Sequence, residues 1–146
     1  MQKAFCTTSF VLFSFFSLAQ IEGKWQTIDD NTGRARSVVE IFQRNNQFFG
    51  RIVKIFQSPN EKPDPVCDKC STDDPRYNMK VVGMEILEKL IKKDNEYTDG
   101  MILDPENGKV YRCKLWIEEN VLKVRGYWGP FFRTQTWHRD RSTLEK

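Results

Sequence analysis

Asp104-Pro-Glu-Asn-Gly108 leads into Lys109-Val-Tyr-Arg-Cys-Lys-Leu-Trp-Ile117, then Glu118-Glu-Asn120, then Val121-Leu-Lys-Val-Arg-Gly-Tyr-Trp128. Two turn signals here punctuate runs in which apolar and polar residues alternate. Asn-Gly between such runs is the strongest short-range mark of a β-hairpin, because the tight turn needs positive φ at its central residues. With Tyr97–Leu103 entering from the N-terminal side, the stretch predicts three antiparallel strands in a meander. In the second run Tyr111, Cys113, Leu115 and Ile117 share a face, with Arg112, Lys114 and Trp116 opposite. In the third, Leu122, Val124, Gly126 and Trp128 share a face, with Lys123 and Arg125 opposite. Side chains alternate across a strand, so the first set of each run is expected to point inward.

Toward the N-terminus, Gln20–Asp30 opens with Gly23-Lys24-Trp25 and alternates through Thr27 and Ile28, and Asp29-Asp-Asn-Thr-Gly33 reads as a turn cluster. Ser37–Arg44 and Gln47–Gln57 read as a pair about Asn45-Asn46, with Gly50 marking a bulge or bend. Ser58–Asn78 carries Pro59, Pro63, Pro65 and Pro75 and two cysteines, and reads as a long loop that is functional or pinned. Val81–Lys93 fits both periods, and we read it as a strand to about Ile86 followed by a short helix. Gly129-Pro130 breaks the chain before a last strand, Phe131–Asp140, and residues 141–146 read as a frayed tail. About eight antiparallel strands with little helix most economically close into a small barrel, which leaves no edge exposed. Such a barrel has room for its own side chains or for one small ligand.

The chain has 146 residues and a formal net charge of +3, which bounds it to one domain. Residues 1–19 read as a signal peptide: Lys3 opens an uncharged run rich in Phe, Leu and Val, and Ser17 and Ala19 mark a cut before Gln20. A retained membrane anchor is the rival reading, but the run falls short of the roughly 20 apolar residues that a span needs. Cleavage removes only Lys3 among charged residues, taking the net charge from +3 to +2. The expectation is an exported protein, periplasmic or extracellular, with no stable membrane span and no electrostatic case for nucleic acid or for strong binding to a membrane surface. Its cations read as scattered over a solvated surface.

Five blocks in order, Gly23-Lys-Trp-Gln-Thr-Ile-Asp-Asp30, Pro65-Val-Cys-Asp-Lys-Cys70, Asp104-Pro-Glu-Asn-Gly-Lys-Val-Tyr111, Leu122-Lys-Val-Arg-Gly-Tyr127 and Arg133-Thr-Gln-Thr-Trp137, resemble the bacterial DUF2147 family. The resemblance spans nearly the whole mature chain. It implies an exported lipocalin-like (calycin) barrel and no established activity. In calycin barrels a Gly-x-Trp on the first strand puts an indole across the closed end, covered by a basic residue of the last strand. Gly23, Trp25 and Arg139, or Arg133 in its place, match those parts.

Candidate chemistry is thin. Cys67, Cys70 and Cys113 would remain after cleavage, and an oxidising compartment favours one disulfide. The pairing stays open: Cys67–Cys70 closes a tiny loop, whereas either cysteine joined to Cys113 would staple the long loop to the meander. A redox-active Cys67-Asp-Lys-Cys70 would need a helix N-terminus, and none is visible. A zinc set of Cys67, Cys70, Cys113 and His138 is the metal alternative, and we expect no metal there. His138 is the single histidine, and no nucleophile elbow, phosphate loop or His-Glu-x-x-His occurs. Asp29-Asp30 and Glu118-Glu119 are adjacent carboxylates that strand geometry would send to opposite faces, so turn chemistry explains them better. We therefore expect no enzyme and no cofactor.

What remains is the interior. Arg51, in phase with Phe49, Val53 and Ile55, is the expected anchor for the head of a small amphipathic ligand such as a fatty acid, with Tyr111 and Trp128 completing the site. Glu40 is the alternative partner for Arg51, since a buried arginine must be paired. A solidly filled interior is the competing expectation. The second functional reading is a structural or protein-interaction module of the cell envelope, acting through the Ser58–Asn78 loop and exposed aromatics such as Trp116.

Overall fold

A computed structural model describes residues 20–142; the predicted signal peptide and the end of the predicted tail lie outside the described residues. Eight strands run β1 Gly23–Ile28, β2 Ala35–Arg44, β3 Gln47–Ile55, β4 Glu85–Lys93, β5 Glu96–Asp104, β6 Lys109–Glu118, β7 Val121–Trp128 and β8 Phe131–Arg139. Each pairs antiparallel with the next, and β8 returns to β1, closing the barrel. Val81–Lys93 contains no helix, which corrects the strand-then-helix expectation. Its even mixture of apolar and charged residues fits both periods, and pairing with β3 and β5 decides for the strand. Lys89, at φ 57°, kinks that strand and offsets the apolar phase.

The turns are those the sequence requires. Asn45 and Asn46 take φ of 52° and 60°, and Glu119 and Asn120 take 50° and 66°. Asn tolerates this left-handed region better than most residues. Gly50 and Gly100 mark places where a neighbour comes too close for a side chain. A Cβ on Gly50 would stand 2.9 Å from Leu87 Cδ1, and one on Gly100 would stand 2.4 Å from Leu90 Cγ. Register shifts accompany both glycines.

The lower end of the barrel, where β1 begins and β8 ends, is sealed. Trp25, Trp137, Ile21, Leu115 and Leu122 are each at most 1% exposed there. Trp25 Nε1 donates to the Ile21 carbonyl at 2.7 Å, and the Arg139 guanidinium stacks 4.0 Å over the Trp25 ring. Arg139 also donates to the carbonyls of Glu22 and Gln20, so the cation ties the incoming chain to the indole. Burial lowers the Arg139 pKa from its ordinary value. Gly23 holds φ +112°, where a side chain is strained, and a Cβ there would press on Arg139 Nη1 at 2.8 Å.

The 56–84 connection folds over the outer side of β4 and β5 and against the β5–β6 turn. Leu103 alternates with lumen-facing Ile102 and so faces out, yet it is 1% exposed beneath that connection. A single bridge, Val66 to Lys80, and a Cys67–Cys70 disulfide with Cα atoms 5.4 Å apart give the connection its shape. Arg76 pins it to the sheet: it clasps Asp74 through two hydrogen bonds of 2.8 and 2.7 Å and donates to the Glu85 carbonyl at 3.1 Å. Arg36 receives Glu61 from the same connection and Glu106 from the β5–β6 turn.

The hydrogen bonds from Arg76 hold the Asp74 carboxyl below the usual carboxylate range, and those from Arg36 do the same for Glu61. A lowered folded-state pKa contributes stability that is complete above the unfolded value and is lost as pH falls through the folded one. Acidification below the ordinary carboxylate range should therefore loosen the 56–84 connection before the barrel. Limited proteolysis by pepsin, followed by mass mapping, should find the first cuts between residues 57 and 80; first cuts in β-strands would contradict this.

Candidate functional site: the upper lumen

Inward positions follow from alternation about the buried Leu115, Val124 and Trp137. They place Tyr111 and Cys113 on β6, Gly126 and Trp128 on β7, and Phe131, Arg133 and Gln135 on β8 in the upper half of the lumen. Thr27 of β1 and Ser37 of β2 join them by the same alternation from Trp25 and Val39. Below this level the interior is a continuous apolar cluster that includes Val39, Ile41, Phe48, Ile52, Leu87, Leu90 and Tyr97. Above it the inward residues change character. Thr27, Tyr111, Gly126 and Gln135 hold inward register yet are only half-buried.

Gly126 marks the space. Its cross-strand neighbours are Cys113 and Arg133. A Cβ there would find nothing nearer than Tyr111 Cβ at 3.8 Å. A Cβ is therefore admitted at Gly126, whereas Gly50, and Gly100 on the other side of Cys113 in the same rung, admit none.

One wall of the space is polar. Thr27 Oγ1 and Ser37 Oγ lie 2.7 Å apart, Ser37 N donates to Thr27 Oγ1 at 3.0 Å, and Trp137 Nε1 donates to Gln135 Oε1 at 3.1 Å. The opposite wall, from Ile102, Tyr111 and Trp128, is apolar and aromatic. Tyr111 and Trp128 meet edge-on with centroids 6.2 Å apart, and Trp128 continues to Phe131 at 6.3 Å. At the rim Arg133 pairs with Asp30 of the β1–β2 turn. That pair bridges a seam, because β1 and β8 share register only at Trp25–Arg139 and Gln26–His138. Above those residues β8 meets the β1–β2 turn through side chains.

Tyr111 and Trp128, expected together in the interior, stand together at the mouth. Arg51 does not join them, which corrects the expected ligand anchor. Arg51 lies on the outer face, where its Nε and Nη2 donate to Glu40 Oε2 at 2.9 and 2.7 Å. The reason is a bulge at Val53: Val38 faces Lys54 while Val39 faces Ile52. One extra residue inverts the phase, so Ile55 turns inward and Arg51 and Phe49 face out. Phe49 is buried on that outer face under Arg44, whose guanidinium sits 4.0 Å over its ring.

The disulfide joins Cys67 to Cys70 and leaves Cys113 free, so no staple runs to the meander. Cys113 points into the lumen while the 56–84 connection packs outside, and the sheet stands between them. The zinc set is not assembled either, since two of its sulfurs are oxidised and His138 is exposed on β8. Burial pushes the Cys113 thiol up to about 12. The thiolate is the reactive form, so native protein at pH 8 should give no reaction with iodoacetamide at Cys113. Denatured, non-reduced protein should be labelled there, as read by peptide mass mapping.

A second concavity, of about 360 Å³, lies outside the barrel among Pro75, Arg76, Met79, Gly83, Met84, Glu85 and Glu88. Its cation, Arg76, is already engaged by Asp74. The residues that sequence reasoning missed are Gly126, Arg133 in a rim role, and the Thr27–Ser37–Gln135 wall. Gly126 was legible, as a side-chain-free inward position opposite Cys113; the Arg133–Asp30 pairing has no local signal.

A family model described as "Uncharacterized protein conserved in bacteria (DUF2147)" matches residues 23–139. No curated protein matches the chain. Among solved structures it is similar to protein HP1028 of the human pathogen Helicobacter pylori, described as belonging to the lipocalin family. The TM-score is 0.69 at 22% identity, covering 86% of each chain, a likeness of fold. With its five sequence blocks inside the matched span and a closed eight-strand barrel around them, the chain belongs to the DUF2147 family.

Proposed function

We propose that this chain is an exported binding protein that holds a small amphipathic molecule with an anionic head in the upper lumen. The carrying observation is Gly126: an inward position where a Cβ would make only an ordinary contact, at 3.8 Å to Tyr111 Cβ, between an aromatic wall and a polar one. The tail would lie against Tyr111, Ile102 and Trp128, and the head would take Arg133 in exchange for Asp30. Catalysis forms no part of the proposal, since Cys67 and Cys70 are oxidised and the buried Cys113 thiol stays protonated. Export with cleavage before Gln20 is part of it, and the N-terminal mass of protein recovered from a bacterial envelope tests that step.

Binding of oleate, followed by displacement of a fluorescent fatty acid, tests the lumen. Gly126→Leu should weaken it by about tenfold or more by placing a side chain beside Tyr111, in a strand whose backbone is ordinary there. Arg133→Gln should cost about ten- to a hundredfold, the worth of a charge-assisted hydrogen bond. Asp30→Asn, which frees Arg133, should tighten binding. No displacement by the parent protein, or equal displacement by Gly126→Leu, would overturn the proposal.

A second reading, a protein-interaction module, draws on Tyr77, Met79 and Val82, exposed at 38%, 54% and 41% on the 56–84 connection. Under it, replacing those three residues by serine would abolish partner capture and leave oleate binding unchanged.

A further inference from the structure

We propose that the tip of the β7–β8 hairpin docks the barrel onto an anionic lipid surface. The turn Gly129-Pro130 carries Trp128, Phe131 and Phe132, which are 46%, 63% and 56% exposed. Scattered surface apolar residues need no explanation, but three large exposed aromatics at one hairpin turn do. The amphipathic ring of Trp favours the membrane–water interface, and Phe adds apolar area to enter it.

The adjoining face has the matching charge. Outward positions of β6 and β7 bring Arg112, Lys114, Lys123 and Arg125 onto one side of the sheet, by the same alternation that turns Cys113 and Gly126 inward. Lys114 is paired with Glu96. Among the described residues, Arg112, Lys123 and Arg125 have no carboxylate partner; Lys123 and Arg125 donate to the hydroxyls of Thr136 and Thr134. Arg125 lies 4.3 Å over the Phe132 ring, which joins the cations physically to the aromatic tip. Glu96, on Lys114, and Glu118, on Trp116, border the patch, and Arg112, Lys123 and Arg125 remain its cations without a carboxylate partner. Cations beside an apolar tip attract anionic headgroups while the rings enter the interface.

The tip is also the rim of the lumen, since Trp128 meets Tyr111. Docking would set the lumen mouth against the bilayer, so that an amphipathic ligand passes between lipid and barrel. Only that last step rests on the lumen reading.

The test is co-sedimentation with vesicles of phosphatidylglycerol and phosphatidylcholine, against phosphatidylcholine alone. It uses protein purified from bacteria expressing the whole chain, in the processed form that accumulates. The parent should partition onto the anionic vesicles and be released by salt. The triple variant Trp128→Ser, Phe131→Ser, Phe132→Ser and the double variant Arg112→Glu, Arg125→Glu should each partition about tenfold less or weaker, with Tm retained. Gly126→Leu should still dock, which separates failure here from failure of the lumen reading. Three results would overturn the proposal: no partition of the parent, equal partition of the triple variant, or competition by single-stranded DNA as strong as by anionic vesicles. A concentration-dependent dimer lost in the triple variant would also overturn it, naming a second copy of the chain as the occupant.

Discussion

Trp25→Ala should lower the unfolding free energy by about 3–5 kcal/mol, the range for removing a buried tryptophan. That is a large share of the roughly 5–15 kcal/mol that holds a domain of this size together. The indole is 1% exposed and closes the lower end beneath Leu122 and Trp137. It also positions two other groups. Its N–H satisfies the Ile21 carbonyl, and its ring carries the Arg139 guanidinium. Alanine would leave a cavity, free that carbonyl and strand a partly desolvated cation. Trp25→Phe keeps most of the volume and a ring face, so its cost should be nearer 1–2 kcal/mol, mainly from the lost hydrogen bond. Urea unfolding midpoints read both. Similar losses for the two variants would mean that the Ile21 bond, and not the packed volume, carries the closure.

Gly108→Val should be comparably damaging, by about 2–4 kcal/mol, for a different reason. Gly108 holds φ +72°, where a β-branched residue is strained, and its Cβ would stand 1.8 Å from the Lys69 carbonyl oxygen and 2.6 Å from Cys70 N. Both obstacles are backbone, so no side-chain rotation relieves the clash. The disulfide loop would have to lift away from the β5–β6 turn and uncover Leu103. Gly129→Ala is the control: it also has positive φ, but nothing lies within 4 Å of its Cβ. Its cost should be about 1 kcal/mol, the price of the left-handed conformation alone. Rapid trypsin cleavage at Lys69 in Gly108→Val, and not in Gly129→Ala, would show that the loop has come off the barrel. Equal stability of the two variants would contradict the packing described.

Much of this was written locally. Asn107-Gly108 and Glu118-Glu119-Asn120 set two hairpins, and alternation through Tyr111–Ile117 and Leu122–Trp128 put Cys113 and Gly126 on the lumen side. The glycine at position 50 announced a distortion of the strand. Gly23-Lys24-Trp25 and the last strand's arginines marked the closed end, although only the structure distinguishes Arg139, stacked on the indole, from Arg133, paired with Asp30 at the opposite rim.

Apart from β4, whose Val81–Lys93 pattern fitted helix as well as strand, local sequence set the strands and their antiparallel sense, because turn chemistry and period-two alternation act over a few neighbouring residues. Tertiary structure alone decided three things. The bulge at Val53 put Arg51 outside, since one extra residue inverts every side chain beyond it and its place is set by how β3 pairs with β2. The sheet came between Cys113 and the loop cysteines, so the short pairing was the one within reach. Packing set the Arg125 guanidinium over the Phe132 ring, joining the cations that alternation had put on the outer face of β6 and β7 to the aromatic hairpin tip, a side-chain contact that no local pattern signals.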